Sequence, residues 1–129
     1  MEGVTSRDTI RMTIPARLAY VRLPRVAIAG LATRSGFSYD EVEDLRLAVG
    51  EVCQVLLDGA DRDGTLTIDF SLARGTVRVE VAIDAQPNGH DGMAEQMAEQ
   101  ILAATVGKVD IDDGGRRIAF AMTAADDDE

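Results

Sequence analysis

Residues 37–60, FSYDEVEDLRLAVGEVCQVLLDGA, constrain the fold of this chain more than any other stretch. They carry their own helix start signal. Ser38 is a good N-cap, because its hydroxyl accepts from a free amide in the first turn, and Glu41 completes a capping box three residues on. Phe37 and Val42 stand at the two hydrophobic staple positions around that cap. Asp40, Glu41, Glu43 and Asp44 bring negative charge to the positive end of the helix dipole. Val42, Leu45, Val49, Val52 and Leu56 recur in steps of three and four, so one stripe must face a core. Gly59 ends the helix, and the polar turn DRDG at 61–64 follows.

The other segments supply the surface that this helix covers. Residues 9–14 alternate, with Ile10, Met12 and Ile14 on one face, and read as a strand ended by Pro15. Residues 18–35 read as a helix closed by Gly36. Pro24 lies inside it. A proline in a helix interior removes a hydrogen bond and clashes with the preceding turn, at a cost of ~3 kcal/mol. Either the helix kinks at Pro24 or its regular part begins near it; a kink is the expectation. Residues 65–73 and 76–84 alternate cleanly around the turn Arg74-Gly75, which predicts a hairpin with one apolar face. Residues 85–92, AQPNGHDG, read as a loop and 93–106 as a third helix. Short strands are expected at 109–112 and, with Ile118, Phe120 and Met122 inward, at 117–123. The acidic run at 126–129 is expected to be a disordered tail.

With 129 residues and no internal repeat or linker, the chain predicts one domain over 1–125 followed by that tail. Helices grouped with a mostly antiparallel sheet give an α+β two-layer sandwich, with about five strands covered on one face by three helices. Hydrophobic residues make up 46% of the chain, enough for a core, but aromatics only 4%, so Val, Leu, Ile, Ala and Met must fill it. The net charge of −10 argues against binding nucleic-acid phosphates and suits a partner with a basic face. No apolar run approaches the ~20 residues of a membrane span, and none at the N-terminus resembles a signal peptide, so a cytoplasmic location is expected. The single Cys53 excludes an internal disulfide and reads as a small buried apolar residue. His90 is a lone loop histidine with no second metal ligand placed near it; no metal site is expected.

The string DLRLAVGEVCQ, residues 44–54, resembles the signature helix of the bacterial anti-sigma-factor serine kinases, the small GHKL-type ATPases of the RsbW-like group. The order of elements resembles the GHKL fold over nearly the whole chain. In that family the helix reads E-x-x-x-N, with Glu as catalytic base and Asn holding magnesium. Glu51 matches the Glu; Val55 stands where the Asn should be and offers no hard oxygen ligand. Gln54 is one position away, about 100° round the helix. The family's D-x-G-x-G turn, whose Asp receives the adenine amino group, is matched by Asp84, but Gln86 and Asn88 replace its glycines. The eight-residue loop 85–92 is short for a lid that closes over a triphosphate. Glu51 is thus the candidate general base and Asp84 the candidate adenine contact, both expected to be vestigial. ATP with magnesium would bind only if the altered pocket still accepts it, and no cofactor is expected.

In the same family an Arg near the start of the first helix contacts both the sigma factor and the anti-anti-sigma protein. Arg22, in LAYVRLPR, matches that position, and Arg17 and Arg25 flank it. Arginines on an acidic protein are good bidentate contacts for carboxylates. The resemblance implies an anti-sigma-factor-like regulator that sequesters a sigma factor, is relieved by an anti-anti-sigma partner of the STAS type, and works as a homodimer. The losses at Val55, Gln86 and Asn88 lean against enzymatic activity. The alternatives are an active ATP-dependent serine kinase acting on an anti-anti-sigma factor, and an unrelated interaction module on the same fold.

Overall fold

A computed structural model describes residues 8–58, 60, 63–85, 109–112 and 116–125. Five strands form one sheet: β1 (Asp8–Pro15), β2 (Thr65–Ala73), β3 (Thr76–Asp84), β4 (Val109–Asp112) and β5 (Arg117–Thr123). Their order is β1-β2-β3-β5-β4, and every neighbouring pair is antiparallel. A 3-10 turn at Leu18–Tyr20 leads into α1 (Arg22–Arg34), and α2 (Tyr39–Asp58) follows. The described architecture is therefore the expected α+β one, with two α-helices. The third helix expected at 93–106, the loop 86–92 with His90, Gln86 and Asn88, Gly59 and the tail 126–129 lie outside the described residues.

α2 forms where its sequence demands. The Ser38 amide donates to Glu41 Oε1 at 2.8 Å, and the Glu41 amide donates to Ser38 Oγ at 3.2 Å. The anticipated stripe of Val42, Leu45, Val49, Val52 and Leu56 is buried, together with Ala48 and Cys53. It packs on the apolar sheet face made by Leu66, Ile68, Phe70, Val77, Val79, Val81, Ile118 and Phe120. Burial pushes the Cys53 thiol up to about 12, which leaves it an inert packing group.

Pro24 does not kink a helix. The chain makes a separate 3-10 turn, and α1 starts only at Arg22. Pro24 is then the third helical residue, where its missing N–H would have had no intrahelical partner. The expected continuous helix over 18–35 is corrected to these two pieces. Gly36 ends α1 at φ 91°, and Gly75 turns the β2–β3 hairpin at φ 74°, both in the left-handed region that glycine adopts without strain.

The opposite sheet face is polar. Arg11 on β1 makes a two-point contact with Asp69 on β2, and Glu80 on β3 pairs with Arg78 and with Arg117 on β5. Such partly exposed pairs contribute little stability each, so the helix-side core holds the layers together.

The end of β5 is tied to the start of α2. The Ala125 amide donates to Glu41 Oε2 at 2.8 Å, and the Ala124 amide donates to the Gly75 carbonyl. Donation from the Ser38 amide, and then from that of Ala125, holds the Glu41 carboxyl below the usual glutamate range. A depressed native pKa stabilises the fold above the unfolded-state value, and that stability fades as pH falls through the native one. Glu41→Gln should therefore lower stability near neutral pH and reduce the further loss below about pH 4. Urea unfolding at both pH values checks this; equal losses for both proteins across the interval would contradict it.

Candidate functional site

Residues 16–25 pass over the second half of α2, and their fold there leaves two adjoining clefts. One, of about 460 Å³, is lined by Ala16, Arg17, Leu18, Gln54, Leu57 and Asp58, with Ala60 at its edge. The other, of about 310 Å³, lies on the far side of Leu18 among Val21, Arg22, Arg25, Gly50 and Gln54. Leu18 and Gln54 border both. The three arginines singled out from the sequence are thus brought to one surface, Arg17 at the first cleft and Arg22 and Arg25 at the second.

Local electrostatics make this surface unusual. α1 has no side-chain cap and no acidic residue in its first turn; Arg22 and Arg25 stand there instead. Cations are disfavoured at the positive end of a helix dipole. The side chains of Arg17, Arg22 and Arg25 are exposed and make no ion pair or hydrogen bond among the described residues. Apolar groups stand exposed around them: Leu18 at 62%, Leu23 at 44% and Val26 at 66%. Sequence reading missed this apolar set. The signal was present, because α1 buries Pro24, Ile28 and Ala32, a stripe of step four, and Leu23 and Val26 lie off it.

Gly50 forms part of the second cleft. A methyl group there would lie 3.5 Å from Arg25 Cδ and 3.7 Å from Arg25 Nε, an ordinary contact with a flexible exposed side chain. Packing therefore does not require glycine. Within a helix interior, glycine is less favourable than alanine by about 1 kcal/mol.

The residues tied to nucleotide chemistry lie elsewhere. Glu51 is half-buried on α2, and Asp84 is exposed at the end of β3, in register with Thr65. Neither lines the two clefts. Gly64 packs so closely on Asp84 and Ala85 that an added Cβ would collide with the Asp84 carbonyl oxygen and lie 2.8 Å from Ala85 Cα. Arg116, in the turn before β5, donates from Nη2 to the Ala85 carbonyl. These contacts fix where the chain leaves β3, and neither Gly64 nor Arg116 stood out in the sequence.

Val55 packs against the hydrophobic core, so the position of the family's magnesium-binding Asn holds an apolar group with no oxygen to offer. Gln54 faces the clefts beside the 3-10 turn, in keeping with the 100° that separates it from Val55. Among the described residues no group of three His, Cys, Asp or Glu converges as a metal site. The side chains present do not fit magnesium at this position.

Comparison with known proteins agrees with the geometry. A profile of the histidine kinase-like ATPase domain matches residues 14–128. The chain is 30% identical over 123 residues to the serine-protein kinase RsbW of Bacillus subtilis, covering 93% of this chain and 76% of that protein. It is 30% identical over 126 residues to the serine-protein kinase RsbW of Bacillus velezensis, covering 95% and 78%. With the protein of that name from Halalkalibacterium halodurans the identity is 34% over 91 residues, 70% of this chain but only 56% of the relative. The crystal structure of the RsbU and RsbW domains of Rv1364c from Mycobacterium tuberculosis superposes with a TM-score of 0.68 at 19% identity, covering 91% of this chain and 32% of that one. The chain belongs to the histidine kinase-like ATPase family, in its RsbW-like group. No helix among the described residues is long and apolar enough to cross a membrane.

Proposed function

We propose that this chain is an anti-sigma-factor-like regulator that works by binding protein partners and not by phosphoryl transfer. The observation that carries the reading is the face formed by the 3-10 turn and α1, where three arginines whose side chains have no partner among the described residues stand beside exposed Leu18, Leu23 and Val26. Arginine is among the side chains that dominate binding energy at interfaces, and the exposed leucines and valine beside it supply apolar area to bury. The partner is a sigma factor, and a STAS-type anti-anti-sigma protein competes for the same face. Membership of the RsbW-like group supports both assignments, and the homodimer is adopted from the same resemblance.

Phosphoryl transfer depends on a positioned nucleotide and a metal clamp. Val55 removes the clamp's ligand, so Glu51 is a remnant of a catalytic base and Asp84 a remnant of an adenine contact. Arg22→Glu is expected to weaken sigma-factor binding at least tenfold without lowering the melting temperature, because Arg22 is exposed, makes no side-chain ion pair among the described residues and stands at the helix end that favours a carboxylate. Calorimetric titration against the sigma factors of the same cell measures it. Unchanged affinity would remove Arg22 from the contact surface.

A further inference from the structure

We infer that the cleft lined by Gly50 is a specificity subsite, which receives a bulky apolar side chain from an acidic amphipathic helix of the partner. This rests on the proposed function and adds to it which side chain of the partner is read, and by which residue of this chain.

Four observations converge. Gly50 lines a cleft together with Leu18, Ala19, Val21, Arg22, Arg25 and Gln54, and the Arg25 stem lies nearest to it. Nothing among the described residues needs glycine there, since among them an alanine Cβ would meet only Arg25, at ordinary contact distance. Glycine is nonetheless the locally unfavourable choice in a helix interior, so its missing side chain has its effect on the cleft. The rim adds exposed Leu18 and the unpaired guanidinium groups of Arg22 and Arg25.

The charge pattern selects the occupant. On a protein of net charge −10, unpaired arginines at the positively polarised start of α1 attract carboxylates. An amphipathic helix presents anchors at i, i+3 and i+4, so it can lower one apolar side chain into the cleft while an acidic neighbour meets Arg22 or Arg25. The cleft volume of about 310 Å³ leaves room for a leucine- or phenylalanine-sized group.

The test separates this subsite from the binding face as a whole. Unaltered protein, Gly50→Ala, Gly50→Leu and Arg22→Glu are each titrated against the sigma factor identified by the calorimetric survey, and each is melted. Gly50→Ala should melt higher than the unaltered protein and bind several-fold more weakly. Gly50→Leu, which fills the cleft, should bind at least tenfold more weakly without melting lower. Undiminished affinity in Gly50→Leu, with Arg22→Glu still defective, overturns the subsite and leaves the binding face standing. Full affinity in both variants overturns both. Failure of the unaltered protein to bind any sigma factor overturns the reading and the subsite together.

Discussion

Phe70→Ala is expected to lower the free energy of unfolding by about 3–5 kcal/mol. Phe70 is fully buried in β2, and it is among the largest side chains wholly removed from solvent. In register it stands between Ile10 on β1 and Val79 on β3, and Val79 stands opposite Phe120 on β5. One apolar row thus runs across the sheet beneath the helices. The chain has three Phe and no Trp, so few other side chains supply comparable volume. Truncation forfeits the transfer free energy of the ring and leaves a cavity that aliphatic neighbours fill only in part. Against a typical total of about 5–15 kcal/mol, the variant should be marginal at 37 °C. Phe70→Leu keeps most of the volume and should cost less than about 1.5 kcal/mol. Urea unfolding followed by circular dichroism tests both. A loss below about 1 kcal/mol for Phe70→Ala would mean that the helix layer does not close over this row.

Gly64→Ala is the second large effect, and it acts through main chain instead of cavity. The new Cβ would collide with the Asp84 carbonyl oxygen and with Ala85. Backbone on both sides of the contact cannot swing away as a long side chain would. Gly64 also accepts from the Ala16 amide at 2.9 Å and precedes Thr65, which pairs with Asp84 in the β2–β3 ladder. Relief of the clash must shift the ladder's end or the 63–64 turn. We expect a loss of about 1–3 kcal/mol, the usual range for overpacking. Amide shifts in an NMR spectrum should change most at Thr65, Asp84 and Ala85. A spectrum and melting temperature like those of the unaltered protein would show that the approach is looser than described.

The fold was legible wherever local chemistry and tertiary demand agree. Ser38 and Glu41 form the capping box that their spacing announces, and the alternation on either side of Arg74-Gly75 gives the hairpin boundaries. Pro24 misled because a pattern of apolar residues does not reveal which proline position a helix will use; only the break after Tyr20 places it in a first turn. The site was legible in part. Arg17, Arg22 and Arg25 could be named, and the structure gathers them. Gly50 and Gly64 could not, because the meaning of a glycine lies in what approaches it from elsewhere in the chain: Arg25 in one case, the end of β3 in the other. The exposed Leu23 and Val26 likewise become conspicuous only once the buried side of α1 is known.

Partner binding by this chain is expected to be independent of a nucleotide. Its most direct test is calorimetric titration of the chain with its sigma factor, run with and without millimolar ATP and magnesium, beside a titration with the nucleotide alone. One dissociation constant in both buffers and no heat from ATP are expected. Affinity that appears only with ATP and magnesium, or micromolar nucleotide binding by the free chain, would contradict it. The pocket near Glu51 would then have to be functional despite Val55, and Glu51→Ala would be the next variant to measure.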